Sequence, residues 1–220
     1  MRAERPILFS GPMVRAILDG TKTMTRRIVE PQPIEVGDGG EPIPMVRSGP
    51  LGALEIIDCP YGVPGDRLWV RETHAPRYFD DGRPAFRADW TGESADLVKE
   101  PRWTPAIHMP RASSRIDLEV TAVRVERLQD ITEEDARAEG VTRENVPAML
   151  RGDPALARQA AIAIYGEEAV SRSTVDRRVW PIARNDRDLF MLAWTAINGK
   201  RAPWASNPWV WCVSFKRVRP

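Results

Sequence analysis

Residues 20–27, Gly20-Thr21-Lys22-Thr23-Met24-Thr25-Arg26-Arg27, mark the place where the chain changes from an apolar helical pattern to a polar, basic segment. Before them, Ser10 is a suitable N-cap, Pro12 suits a first helical turn, and Gly20 is a typical helix stop. The segment then presents one ammonium group, several hydroxyls and two guanidinium groups in quick succession. Such a set can hold a polar ligand, and a polar loop after a helix is the alternative that stays open.

Further along the chain, several apolar segments predict strands. Residues 68–70 are apolar enough to be buried on both faces of a sheet, and residues 116–125 alternate and then change parity, as in a strand with a bulge. In the last segment Trp209, Trp211, Val213 and Phe215 share one face. The strands are separated by long loops and do not alternate regularly with helices. The pattern therefore predicts a single α+β domain over residues 1–220, built on a small mixed or antiparallel β-barrel with flanking helices.

Two further helices and three additions complete this organisation. Thr132 is a suitable cap for a helix with an acidic first turn that ends at Gly140, and a second helix is predicted over 187–198. In residues 31–65, 14 of 35 residues are Pro or Gly, which predicts an irregular excursion with at most short strands. A second loop excursion covers residues 75–110. A helical insertion covers 142–188, with Asp153-Pro154 at the start of its Ala-rich helix.

The composition is that of an ordinary globular chain. Of its 220 residues 42% are hydrophobic and 29% charged, with a net charge of +1, which excludes collagen, coiled coils and wholesale disorder. No apolar run approaches the roughly 20 residues of a membrane span, and no apolar segment follows the first charges. Cys59 and Cys212 lie far apart, without the spacing of a disulfide framework. We therefore expect a cytoplasmic protein with no membrane association.

The common motifs for cofactors and metals are missing from the sequence. It has no P-loop, no GxGxxG, no HExxH and no GxSxG. Its only two histidines are His74 and His108, so a structural zinc site lacks ligands. We expect neither a metal nor a cofactor.

Basic residues are unevenly distributed despite the balanced total. Residues 189–220 contain five Lys and Arg and no acid, and residues 101–116 contain three Arg and His108 without an acid. A basic cleft that attracts phosphates is one interpretation, and a solvated surface with scattered charges is the other. The residues predicted to contact phosphates or bases are Arg26, Arg27, Arg71, His108, Arg111 and Lys216.

Lys22 also has the functional group of a chemical base. If it is partly desolvated close to Arg26, its pKa falls, and it can serve as a base that activates a nearby Thr hydroxyl.

Four segments in combination resemble the ASCH domain of the PUA-like superfamily, in particular the long members found in phages and prophages. They are residues 20–26 (Gly-x-Lys-Thr-x-Thr-Arg), 64–72 (Pro-Gly-Asp-x-Leu-Trp-Val-Arg-Glu), 128–140 (Leu-x-x-Ile-Thr-Glu-Glu-x-Ala-x-x-Glu-Gly) and the closing strand at 207–218. The resemblance implies a β-barrel with a cleft for nucleic acid or a nucleobase. The excursions and the insertion have no counterpart in small ASCH proteins.

Some small ASCH proteins hydrolyse N4-acylated cytidines without a metal. The residues to which that activity is attributed correspond here to Lys22, Thr25 and Glu139. In that reading Thr25 or water attacks the acyl carbon, Lys22 is the base or the oxyanion partner, and Glu139 positions the cytosine amino group or protonates it as it leaves.

Three functions follow as expectations. The first is binding of RNA, DNA or a modified nucleobase in the cleft. It comes first because proteins with similar folds share a cleft more often than they share a reaction. The second is amide hydrolysis of an N4-acylated cytidine or a related modified nucleoside, with Lys22, Thr25 and Glu139 expected to line one cavity. The third is a phage accessory role in which the insertions bind a host protein.

Overall fold

The structure is a computed structural model, and it describes most of the chain. The residues described are 3–36, 43–48, 52–90, 101–143, 145–146, 155, 158, 161–162, 165–173 and 183–218.

Short segments of regular structure are distributed along these residues. The strands are β1 (Glu4–Leu8), β2 (Met24–Ile28), β3 (Glu35–Val36), β4 (Pro44–Ser48), β5 (Ala53–Ile56), β6 (Arg67–Arg71), β7 (His74–Ala75), β8 (Ala85–Phe86), β9 (Asp117–Arg127) and β10 (Trp209–Val218). The α-helices are α1 (Gly11–Leu18), α2 (Glu133–Ala138), α3 (Glu167–Ser173) and α4 (Asp186–Asn198).

The chain divides into two compact units, each assembled from separate stretches of sequence. The first unit comprises residues 1–21, 59–122 and 214–220, and the second comprises 22–58 and 123–213. Strands β9 and β10 run from one unit into the other. The single domain over residues 1–220 stays a prediction.

In the first unit, β6 pairs with a parallel strand on one side and an antiparallel strand on the other. It is parallel to β1 and antiparallel to β9, with Leu68 opposite Leu118. Leu68 and Val70 are buried, whereas Trp69 between them is only half-buried. The prediction that residues 68–70 are buried on both faces is therefore wrong. The strand alternates, and the guanidinium carbons of Arg71 and Arg111 lie 5.2 and 6.0 Å from the centroid of the Trp69 ring.

The first helix follows the sequence signals. It begins at Gly11, directly after Ser10 in an extended conformation, and Val14, Ala16 and Ile17 are buried. Gly20 adopts a left-handed backbone conformation with φ of 78°, which a residue without Cβ adopts at little cost. The helix stop ahead of Lys22 is confirmed.

In the second unit, β10 lies between β9 and β2. Residues 31–65 contain more order than their composition suggests, because β3, β4 and β5 form a three-stranded antiparallel sheet. The parity change predicted for residues 116–125 is also present: Leu118 and Val120 are buried, the next two residues are exposed, and Val125 is buried again.

Helix α4 and strand β10 are more deeply buried than one-sided patterns suggest. Asn185 caps α4 by accepting a hydrogen bond from the Asp188 amide, and residues 188–196 are all buried. Ile197 is exposed, because it belongs to the last turn before Gly199. In β10, Val210 and Cys212 are buried, and so are Trp211, Val213 and Phe215 on the other face, so the centre of this strand is covered on both sides.

The predicted α+β class is confirmed. The strand order is β1-β6-β9 in the first unit and β9-β10-β2 in the second, and neither run of described strands closes on itself. Within the predicted insertion at 142–188, the structure describes helix α3. The predicted start of the Ala-rich helix, Asp153-Pro154, lies outside the described residues. No helix within the described residues has the length and apolar character needed to cross a bilayer.

Candidate functional site

Backbone pairing in the second unit brings Lys22 and Thr23 to the end of helix α2. Lys22 forms an isolated antiparallel bridge with Glu139, and the Thr23 amide donates to the Ala138 carbonyl at 2.8 Å. The chain then continues into β2, whereas Gly140, with φ of 71°, turns the other segment away from α2. Two segments more than a hundred residues apart in sequence are thereby fixed side by side.

The Lys22 ammonium group is buried and its hydrogen bonds are satisfied. Its Nζ donates to the Met24 carbonyl at 2.7 Å, to the Glu139 carbonyl at 2.9 Å and to Glu139 Oε2 at 2.8 Å. Lys22 is 2% exposed and Glu139 is 4% exposed. Burial lowers the pKa of Lys22, the direction that the sequence predicted, while the Glu139 carboxylate opposes the change.

This burial corrects the alternative in which residues 20–27 form only a polar loop. The ammonium group can leave solvent because three acceptors, one of them a carboxylate, replace its water. Lys22 therefore belongs to the core of the second unit.

Arg26 extends the ion pair into a larger network. Its Nη1 lies 3.5 Å from Glu139 Oε1, and its Nη2 donates to Asp135 Oδ2 at 2.6 Å and to Glu126 Oε1. The side chain is completely buried, with the guanidinium carbon 5.8 Å from the centroid of the Phe190 ring. Arg26 is therefore engaged inside the protein and does not present a surface contact for phosphate.

Thr25 is buried and directly precedes Arg26 in sequence. Its side chain nevertheless lies on the other face of β2. Met24 and Arg26 share a face, as shown by the 3.5 Å contact of Arg26 Nη1 with the Met24 sulfur. Thr25 lies on the opposite face because successive residues of a strand alternate. The structure thus brings Lys22 and Glu139 together, and the role of Thr25 beside them stays a prediction.

The network becomes more exposed towards Arg124. Arg124 donates to Glu126 Oε2 at 3.0 Å and to Asp135 Oδ2 at 2.5 Å. The exposed fraction of the side chain is 15% for Asp135, 19% for Glu126 and 33% for Arg124. We call Lys22, Arg26, Arg124, Glu126, Asp135 and Glu139 the charge cluster. It has three cations and three carboxylates, and its partly exposed end is formed by Arg124, Glu126 and Asp135.

Arginine contacts set the ionisation of the two outer carboxylates. Burial alone would raise the pKa of Asp135, but the hydrogen bond and charge of Arg26, together with Arg124, hold it below its usual range. The pKa of Glu126 is also lowered, because hydrogen bonds from Cys212, Arg26 and Arg124 outweigh its burial. Both groups are therefore carboxylates at neutral pH.

Cys212 borders the charge cluster from β10. Its Sγ lies 3.1 Å from Glu126 Oε1, and burial raises the pKa of the thiol well above its usual range. Both Cys212 and Cys59 are free thiols. Cys212 therefore acts here as a neutral hydrogen-bond donor.

Sequence reasoning missed four of these neighbours: Arg124, Glu126, Asp135 and Cys212. Two signals were available. Arg124 and Glu126 are spaced two apart and so share one face of β9, and Asp135 lies four residues before Glu139, one helical turn away. Nothing in the sequence indicated which strand would face that turn.

Two atoms in the charge cluster have unused hydrogen-bonding capacity. The buried Nε of Arg26 has no hydrogen-bond partner among the described residues. Glu139 Oε1 has the 3.5 Å contact with Arg26, whereas Oε2 is held by Lys22 at 2.8 Å. A buried N–H donor without an acceptor is uncommon in folded proteins, so this donor and the loosely held oxygen are the features to explain.

The remaining predicted contacts are dispersed. Arg27 is half-buried in the second unit, and the others belong to the first unit. There Arg71 donates to the Met109 carbonyl at 3.0 Å, and His108 is exposed in a short 3₁₀ helix. Arg111 contacts Glu4 at 3.1 Å and Asp117 at 3.0 Å, and Lys216 contacts Glu119 at 2.9 Å. Carboxylate partners thus reduce the positive charge that Arg111 and Lys216 offer.

In the part of the chain that the structure describes, no three His, Cys, Asp or Glu side chains are grouped so as to hold a metal ion. Comparison of the chain with protein-family models, with curated proteins and with solved structures finds no match.

Proposed function

We propose that the second unit binds a nucleobase that carries an exocyclic amino group, either in a nucleic acid or in a modified nucleoside. The observation that carries this proposal is the buried Arg26 Nε–H donor, which has no partner among the described residues, together with the Glu139 Oε1 acceptor, which has only the 3.5 Å contact with Arg26 Nη1. The Watson–Crick edge of cytosine has the complementary groups, an N4 amino donor beside an N3 acceptor. Glutamate and aspartate are side chains that accept from a cytosine amino group.

Lys22 has a positioning role in this proposal. With all three ammonium protons engaged, it holds Glu139 Oε2 in place and leaves Oε1 for a ligand. A carboxylate fixed in this way loses little conformational freedom when it accepts a hydrogen bond from a base. The partly exposed end at Arg124 is where a ligand would enter.

The cost of burying these charges also favours a functional role. A buried ion pair is often no more stabilising than well-packed apolar residues of the same size, because the charges lose their hydration. Six ionic side chains in one cluster are therefore poorly explained by stability alone. We also propose that the protein has a PUA-like barrel, as the resemblance to ASCH domains implies. In that resemblance, Lys22 and Glu139 belong to the cleft.

Calorimetric titration with cytidine and uridine tests the proposal. Cytidine should bind and uridine, which has a carbonyl in place of the amino group, should bind more weakly. Glu139→Gln should lose about 10-fold to 100-fold in affinity for cytidine, as expected for a hydrogen bond to a charged group.

The matched control is Glu134→Gln, which changes an exposed glutamate of the same helix. It should leave cytidine affinity unchanged, and circular dichroism should show that both variants are folded. Equal affinity for the two nucleosides, unaffected by Glu139→Gln, would contradict the proposal.

Amide hydrolysis of N4-acetylcytidine is a second candidate, favoured by the lowered pKa of Lys22 at 2.8 Å from a carboxylate. In the reaction water adds to the acetyl carbon, the bond from that carbon to N4 breaks, and N4 takes a proton as cytidine and acetate leave. Because Thr25 lies on the opposite face of β2, water is the better nucleophile here.

Chromatography of a reaction with N4-acetylcytidine tests this candidate. Wild-type protein should release cytidine and acetate in equal amounts, and Glu139→Gln should slow release by about 100-fold to 10,000-fold if the carboxylate moves the proton. If the protein binds cytidine but releases no acetate from N4-acetylcytidine, its function is binding and this candidate is wrong.

A further inference from the structure

The first unit contains a separate cavity with a volume of about 790 Å³, next to β8 and the short 3₁₀ helix at Arg111–Ser113. Its lining, among the residues that the structure describes, includes two arginines, two serines and the Phe86 ring, and no carboxylate. A volume of this size is within the range of pockets for small organic ligands, and it exceeds the needs of a lone inorganic ion.

Arg77 stands at this cavity with an unusual backbone. Its φ of 52° is in the left-handed region, which costs a residue with a Cβ free energy that glycine does not pay. Its side chain is exposed, and it has no hydrogen bond or ion pair within the described part of the chain. Strained backbone of this kind is concentrated at ligand sites, where the strain positions a side chain. Arg77 thus offers an uncompensated positive charge to a ligand.

Arg115 is stacked on the Phe86 ring at the same cavity, and both groups are planar. The guanidinium carbon of Arg115 lies 3.9 Å from the centroid of the Phe86 ring. Four hydrogen bonds hold that guanidinium group, two to the buried Glu72 at 2.8 and 3.0 Å and two to Asp89 at 2.5 and 3.1 Å. One of its five N–H groups remains for a ligand. A planar pair held in this way suits a planar ligand group.

We propose that this cavity binds a mononucleotide. Arg77 pairs with the phosphate, the Ser113 hydroxyl and the remaining Arg115 N–H contribute hydrogen bonds, and the base packs against the stacked pair of Arg115 and Phe86. The cavity has a positive charge for a phosphate, a planar surface for a base, and a volume that holds both. A mononucleotide uses all three features, whereas a free phosphate or a free nucleoside uses fewer. The inference is independent of the function proposed for the second unit.

Calorimetric titration with uridine 5′-monophosphate is the appropriate test, because uracil lacks the amino group proposed to bind Glu139. Uridine 5′-monophosphate should bind, and both uridine and ribose 5-phosphate should bind at least about 10-fold more weakly. Arg77→Gln should weaken binding of the nucleotide at least about 10-fold. Arg102→Gln, at an exposed arginine outside the cavity lining, should leave it unchanged.

Arg77→Gly separates binding from folding. It should abolish nucleotide binding while the melting temperature stays the same or rises by about 2–4 °C, because glycine removes the left-handed strain. Nucleotide affinity unchanged in Arg77→Gln, uridine bound as tightly as its monophosphate, or no binding at about 1 mM nucleotide would overturn the proposal.

Discussion

At the scale of single residues, Lys22 and Glu139 depend on each other. If the Lys22 side chain is removed, the Glu139 carboxylate stays buried without its strongest partner. We expect Lys22→Ala to lower the free energy of unfolding by about 3–5 kcal/mol, as for other broken buried ion pairs. Urea denaturation measures this change.

Combining Lys22→Ala with Glu139→Gln removes the unpaired charge, so the double variant should regain part of the stability. A loss below about 1 kcal/mol in Lys22→Ala would show that the pair is not the buried contact described here. The same burial means that Lys22→Ala is a poor test of catalysis, since lost activity would also report lost stability.

Asp135 should contribute to the acid sensitivity of the protein. Arg26 and Arg124 hold its pKa below the usual range, so its stabilising contribution is present above its unfolded pKa, near 4. That contribution is lost as the pH falls through the lower, folded value. Asp135→Asn should therefore flatten the decline of stability below about pH 4. Unfolding curves from pH 7 down to pH 2 measure it, and an unchanged decline would contradict the assignment.

The members of the charge cluster differ in how far the sequence could predict them. Lys22 and Glu139 were identified through the resemblance, whereas their contact joins residues 117 positions apart, which no local pattern encodes. The burial of Lys22 also could not be predicted, because it depends on acceptors supplied by another segment.

At the scale of elements, the cap of α2 supports the site. Thr132 accepts a hydrogen bond from the Asp135 amide at 3.1 Å, and this short helix carries Asp135 and leads directly to Glu139. Thr132→Ala should cost about 1 kcal/mol of stability, whereas Thr132→Ser, which keeps the hydroxyl, should cost much less. Thermal denaturation of both variants compares them. Equal losses would show that the hydroxyl does not cap the helix.

Elements with local signals were predictable, and elements that depend on distant pairing were not. The stops at Gly20 and Gly140 and the cap at Thr132 follow from backbone and side-chain chemistry within a few residues. The β3-β4-β5 sheet is the opposite case. Its short strands lie among prolines and glycines, and only their mutual pairing gives them regular structure.

At the scale of the whole molecule, salt dependence distinguishes a nucleic acid from a free nucleoside as the ligand. A single-stranded RNA or DNA that contacts the exposed basic residues releases counterions, so its affinity should fall linearly on a log–log plot against salt. Arg27→Ala, at the predicted contact that lies in the second unit, should reduce that slope by about 1, the change expected for one lost phosphate contact. Fluorescence anisotropy measures the slope.

The control for this prediction is Arg47→Ala, at an exposed arginine on β4, and it should leave the slope unchanged. Failure of both RNA and single-stranded DNA to bind at about 50 mM salt would leave a free nucleoside as the ligand of the second unit.

A crystal structure of the protein with cytidine tests the proposed nucleobase site most directly. We expect the base at the charge cluster, with its N4 amino group about 3 Å from Glu139 Oε1 and its N3 accepting from Arg26 Nε. Cytidine bound elsewhere, or a structure in which these two atoms keep their present surroundings at saturating cytidine, would contradict the account.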